Sequence, residues 1–236
     1  MVPERVKTIV VHHGNAVYHY EVDESWRNSM TQQIATGQRL MFHKRNRLYV
    51  APSKWIQDRF RDFAPSWYDS LSVVLPHWVP QIHGGEKALR NVRPRVIGDW
   101  RNPNKGSEVW RVIQRACQSE FEFCQLHGFD GDDINTERED IYRRANIYLC
   151  LSLSEGAPFS VADAEAAGLR IVTTKVGNCY EFDPWIVDDR NDTDEVVAAL
   201  QHAAGHERNK ESFYKEFTMS VWRDMWAAVI KGIQNK

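Results

Sequence analysis

Residues 147–174 constrain the fold more than any other part of the chain. Ile147-Tyr-Leu-Cys-Leu151 is an apolar run of the length of a buried strand. Ser-Leu-Ser-Glu155-Gly156-Ala157-Pro158-Phe159 follows as a turn, a helix is predicted over about 160–167, Gly168 ends it, and residues 170–174 read as a second β-branched strand. Strand, glycine turn, helix and strand in this order form a parallel unit, with the helix as the crossover. At the carboxyl end of the first strand, the N–H groups of the turn and the helix dipole point to one place, which suits a phosphate.

The remaining chain follows the same grammar. Residues 7–12 alternate and cluster Thr8, Ile9, Val10 and Val11 before Gly14-Asn15, a strand ending in a turn. Residues 47–51 repeat the pattern. Ser53 stands where a cap belongs, and Trp55, Ile56, Arg59, Phe60 and Phe63 fall at helical spacing through residue 63. A short apolar run over 71–75 ends at Pro76. Around Gly84-Gly85, residues 80–93 carry no apolar stripe and read as a linker. Beyond it come a strand at 95–98, a helix over 107–119, a strand at 121–126, a helix over 135–144, the unit described above, and a short strand at 185–187. Two helices close the chain; the last, predicted from 211 to 232, places Phe213, Phe217, Val221, Met225 and Val229 on one face. The expectation is an α/β protein with an N-terminal α/β lobe over 1–85 and a larger doubly wound lobe over 94–236, the final helix packing back on the first lobe.

Composition excludes several classes. The 236 residues are 42% hydrophobic and 26% charged, with 13 Gly and 9 Pro, which is globular rather than disordered. No apolar run approaches the roughly 20 residues of a membrane span, and the first residues do not read as a secretory signal, so a soluble cytoplasmic protein is expected. Cys117, Cys124, Cys150 and Cys179 form no zinc-like spacing and are expected as buried thiols. The net charge of −2 divides unevenly, at +5 for residues 1–93 and −7 for 94–236. Together with the basic stretch from Arg39 to Arg47, this points the first lobe toward an anionic partner such as a lipid head group, a glycan or nucleic acid; the alternative is a solvated surface.

Several residues carry candidate chemistry. Glu155 and Asp163 lie a little over two helical turns apart, so a helix starting just after Glu155 sets both carboxylates on one side of a cleft. Asp163 is placed to reach a ribose diol and Glu155 a sugar hydroxyl, with Glu165 facing roughly the other way. Lys105, after Asn102-Pro-Asn104 and before the predicted helix at Ser107, is a candidate phosphate ligand. His12 and His13 point to opposite faces of a strand, so at most one enters a cleft from within it; His13 beside Gly14 is favoured. Trp78 and Trp100 flank turns and are candidates for stacking on a base or sugar. Asp132-Asp133 and Asp188-Asp189 read as solvated turns rather than a metal site.

The stretch from Glu155 to Gly168 resembles the donor-site signature of retaining, family-four-like group 1 glycosyltransferases of the GT-B fold, in which two Glu flank seven residues; here the second acid is Asp163. Upstream, Gly98-Asp-Trp-Arg101-Asn-Pro-Asn-Lys105-Gly106 is similar to the family's Gly-Arg…Lys-Gly loop that clamps the donor diphosphate. Lys105 matches, and Asp99 stands where the family has Arg, which leaves Arg101 as the second cation. Val10-Val-His12-His13-Gly14 resembles the family's strand ending in His. The match runs through residues 94–236 in order, whereas about a hundred residues that family members carry before the His strand have no counterpart.

The resemblance implies two Rossmann-type lobes, the first shortened, and transfer of a sugar from a UDP- or GDP-sugar with retention at the anomeric carbon. It makes Glu155 and His13 catalytic and Arg101, Lys105, Gly156, Ala157, Pro158, Phe159 and Asp163 donor-binding, with no cofactor and no metal. Two alternatives stay open: a non-catalytic nucleotide-sugar-binding subunit that needs a partner chain or a homodimer mate, and a viral-type DNA-base glycosyltransferase.

Overall fold

A computed structural model describes residues 8–11, 47–61, 64, 66, 68, 72–76, 93–126, 134–156, 158–177, 179–206 and 218–234. The readings made above for His12, His13, the basic stretch 39–46, Trp78, the linker 80–92, Asp132, Asp133, Ala157, Phe213 and Phe217 fall outside these residues. The chain divides into two compact units. One comprises Met1–His77, Glu155–Ala157 and Ser220–Lys236, the other Trp78–Ser154 and Pro158–Met219.

In the first unit, β1 (Thr8–Val11), β2 (Arg47–Ala51) and β3 (Ser72–Val74) form a parallel sheet in that order, with Val10 beside Tyr49 and Val50 beside Val73. Helix α1 (Lys54–Arg61) turns Ile56 and Phe60 into a core with Val10, Tyr49, Ala51 and Tyr68. Ser53 caps it as its type predicts, its Oγ accepting from the Ile56 N–H at 3.2 Å.

The second unit holds a five-stranded parallel sheet in the order β5-β4-β6-β7-β8, from Arg95–Gly98 (β4), Glu122–Gln125 (β5), Ile147–Cys150 (β6), Arg170–Thr174 (β7) and Trp185–Val187 (β8). Both faces are covered. Alternate residues point to opposite sides of a strand, so a strand buried on both sides must be apolar throughout. Ile97, Tyr148, Cys150 and Ile171 therefore face a core closed by Tyr142 of α3 (Ile134–Arg143) and by Val161 and Ala164 of α4 (Phe159–Ala166). Their neighbours Val96, Ile147, Leu149 and Val172 face Ile113 and Cys117 of α2 (Trp110–Cys117) and Val196, Leu200 and Ala203 of α5 (Thr193–Gly205). The chain leaves β4 for β5 on one side and returns to place β6 on the other. The loops after β4 and β6 thus diverge at the switch point of a doubly wound sheet, where such folds take ligands.

Two sequence expectations need correction. The helix predicted from Ser107 begins at Trp110. A single 3-10 turn, Pro103–Lys105, precedes it and ends at Gly106 in the left-handed region (φ 88°), whose carbonyl then accepts from the Val109 and Trp110 N–H groups. The closing helix α6 runs over Met219–Gln234, with Thr218, a residue type suited to an N-cap, immediately before it; the predicted stretch 211–217 falls outside the described residues. Trp100 is not a stacking platform. It is 1% exposed, its indole lies against Trp110 at 4.9 Å and 15°, and its Nε1–H donates to the Leu149 carbonyl at 3.2 Å. Gly98 makes room for it, since a Cβ there would stand 2.5 Å from the indole and 2.4 Å from the Leu149 oxygen.

Of the cysteines, Cys117, Cys150 and Cys179 are buried and Cys124 is partly so, all as free thiols; burial, with Glu120 adding to it, pushes Cys117 up to about 11. No described helix is long and apolar enough to cross a membrane.

Candidate functional site

The loop after β4 is built around Asn102 and Asn104. Asn102 Oδ1 accepts from the Lys105 N–H at 3.0 Å and starts the 3-10 turn that carries Lys105 at its end. Asn104 ties this turn to the segment after β6: its side-chain N–H donates to the Ser154 carbonyl at 3.0 Å, and its own carbonyl accepts from the Leu153 N–H at 2.8 Å. Gly106 completes the contact at close range, because a Cβ there would meet Leu151 Cβ at 2.8 Å. Lys105 is partly buried. Arg101 forks onto Asp99, Nε to Oδ1 at 2.7 Å and one amino nitrogen to Oδ2 at 3.0 Å, so the acid at the family's arginine position takes up part of the charge expected of Arg101.

The segment after β6 passes through buried Ser152 and Ser154 to Glu155, which is partly exposed. The Gly156 carbonyl accepts from Ser53 Oγ at 2.8 Å, a bond within the unit to which both residues belong. Pro158 is the N-cap of α4 with extended backbone (φ −69°, ψ 115°), and its carbonyl accepts from the Val161 and Ala162 N–H groups. Pro158 itself has no N–H, so it shapes the turn and the donors come from its neighbours. Phe159, in the first turn of α4, is 54% exposed.

Asp163 and Glu165 are both buried, each at 1% exposure. Glu165 was expected to face away. Instead α4 is enclosed on most sides, with Val161, Asp163, Ala164 and Glu165 all buried, so the difference in facing produces no difference in exposure.

Three further groups organise this end of the sheet and were not read from the sequence. Tyr148 donates to Ser160 Oγ at 2.7 Å and Tyr142 to the Ser160 carbonyl at 3.1 Å, fixing the first turn of α4 from below. Burial first, then the neighbouring Tyr142, Cys150 and Asp99, holds Tyr148 well above the usual tyrosine range, so it remains a neutral donor. Arg190, 9% exposed in the loop after β8, donates from one amino nitrogen to both the Asn104 carbonyl (3.0 Å) and the Leu151 carbonyl (2.8 Å). Nothing in the sequence singles it out, since Arg190 stands between Asp188-Asp189 and Asn191-Asp192 in a polar stretch. Among the described residues, no group of three or more His, Cys, Asp or Glu is placed to hold a metal ion.

Comparison with known proteins gives this arrangement a context. No curated protein sequence matches the chain. Sucrose-phosphate synthase from Thermosynechococcus elongatus is similar in structure, with a TM-score of 0.74 at 13% identity over 97% of this chain and 68% of that one. The GtfA/B complex gives 0.66 at 14% identity over 99% and 54%, and HepE of Anabaena, in complex with UDP and glucose, 0.58 at 12% over 94% and 71%. These likenesses establish the shared GT-B fold of parallel α/β sheets. The model of the family described as glycosyl transferases group 1 matches residues 61–205, more than half of the chain and including the loops after β4 and β6, and on that match the chain belongs to the group 1 glycosyl transferases.

Proposed function

We propose that the protein transfers a sugar from a nucleoside-diphosphate sugar, UDP- or GDP-linked, to an acceptor with retention at the anomeric carbon. One observation carries the donor assignment. The Lys105 turn is hydrogen-bonded through Asn104 onto the segment leading to Glu155, at the switch point of a doubly wound sheet. A cation and a strand–turn–helix unit are thereby held at the carboxyl ends of adjacent strands.

In this reading Lys105 takes the diphosphate, the N–H groups of Gly156, Ala157 and Phe159 assist it, and Asp163 takes the ribose. Arg101 contributes less charge than its position suggests, because Asp99 shares it. Departure of the diphosphate leaves positive character on the sugar carbon, and charge placed in advance around both fragments lowers that barrier without a metal. Glu155 and His13 are assigned to the sugar. The acceptor is assigned as anionic on the +5 charge of residues 1–93. The likeness to a protein crystallised as a two-component complex supports testing the chain together with a partner as well as alone.

Calorimetric titration of the chain with UDP, GDP and their sugars tests this reading. One nucleotide should bind, and a donor at 100 times its Kd should add about 2.7 kcal/mol to stability. Asp163→Ala should weaken nucleotide and nucleotide-sugar alike, since both carry the ribose. Binding of neither nucleotide refutes the donor site, and unchanged affinity in Asp163→Ala refutes the ribose contact.

A further inference from the structure

Arg190 stands out against its own loop. Its neighbours Asp188, Asp189, Asn191 and Asp192 are exposed and bonded locally: Glu195 accepts from the Asp188 and Asp189 N–H groups, and Asp189 Oδ1 accepts from Asn191. Arg190 alone turns inward. Burying a guanidinium is costly, and burial lowers its pKa against the pull of Glu108 and Asp189, so a position like this requires specific partners. Those partners are two carbonyls from different loops. Leu151 lies just past the end of β6, and Asn104 immediately precedes Lys105. The Asn104 oxygen also takes the Leu153 N–H, so both of its lone pairs are used within one cluster.

We infer that Arg190 is a positioning residue for Lys105: its guanidinium clamps the loop after β4 to the strand end after β6 and so sets where the lysine meets the donor diphosphate. The inference rests on the donor reading above and extends it to a residue in the loop after β8. A lysine ammonium rides on a flexible stem, so the backbone at 104–106 decides its reach. Without the guanidinium, the Asn104 and Leu151 carbonyls lose a buried donor, and the turn is held to the segment after β6 by fewer bonds, those of Asn104 with Ser154 and Leu153 remaining. Displacements of about 1 Å at a distance from the chemistry cost up to 100-fold in well-oriented sites.

The test compares binding of UDP, or of GDP if that is the nucleotide bound, with its monophosphate in wild type, Lys105→Ala, Arg190→Ala and the double variant. Arg190→Ala should weaken the diphosphate about tenfold, as Lys105→Ala does, and leave the monophosphate unchanged. The double variant should lose no more than either single one, because residues acting through one another are not additive. Arg190→Lys, whose ammonium still offers donors to the carbonyls, should recover most of the affinity. If Lys105→Ala weakens the diphosphate while Arg190→Ala does not, or weakens both nucleotides equally, or adds its full loss in the double variant, the positioning role is refuted and the donor reading stands. If Lys105→Ala binds as wild type, the diphosphate is not at Lys105 and both fall. Should Arg190→Ala not fold, Arg190→Gln takes its place in the same comparison; failure of both to fold assigns Arg190 to stability alone and overturns the inference.

Discussion

Replacing Trp100 with Phe separates a core role from a ligand-stacking one. The indole is 1% exposed, lies flat on Trp110 and touches Phe123 at 6.2 Å between centroids, so the substitution changes only buried contacts. Loss of the Nε1–H bond to the Leu149 carbonyl costs about 1 kcal/mol. Removing about three ring atoms leaves a small cavity worth about 1 kcal/mol at the usual cost per unit volume. Reduced overlap with Trp110 adds up to about 1 kcal/mol. The sum is about 2–3 kcal/mol, which lowers Tm by about 4–12 °C for a chain of this size. Calorimetric melting measures the stability, and titration with the bound nucleotide at a temperature where both proteins are folded measures the site. Affinity should be unchanged. An unshifted melting temperature with weakened nucleotide binding would refute the core assignment and restore Trp100 as a stacking residue.

Gly106→Ala must adopt a left-handed φ of 88° and push a Cβ against Leu151, so it should lose about 2–4 kcal/mol in urea unfolding; a loss below about 0.5 kcal/mol would mean the turn relaxes freely. Asp192→Ala removes the oxygen that accepts from the Asp194 and Glu195 N–H groups at the start of α5, and stability should fall by about 1 kcal/mol in the same assay, with Asp192→Asn losing less. Glu155→Gln keeps size and most hydrogen bonding while removing charge, so turnover of the donor should fall on the order of 100-fold with affinity changed far less; equal loss in both would make Glu155 a binding residue only.

The local alphabet of this protein is legible in its sequence. Strands at 47–51, 95–98, 170–174 and 185–187 stand where β-branching and turn residues put them, because strand formation here follows side-chain pattern over four or five residues. Ser53 likewise announces its helix, since capping is a bond between near neighbours in the chain. The strand–turn–helix unit from Ile147 to Thr174 carried the family's fold for the same reason. What depended on residues far apart was not legible. Trp100 at a turn looked exposed until Trp110, Phe123 and the Leu149 carbonyl closed around it. Asp99 and Arg101 are close enough in sequence to pair, yet only geometry shows the fork that draws charge from Arg101. Glu165 reads as facing roughly the other way from Asp163, but only the fold shows that both acids, with Val161 and Ala164 of the same helix, are buried. Arg190 is separated by 86 residues from Asn104 and by 39 from Leu151, and no short-range pattern could assign it; the parallel sheet brings those three loops to one end, and the cost of burying a charge then selects the carbonyls it must meet.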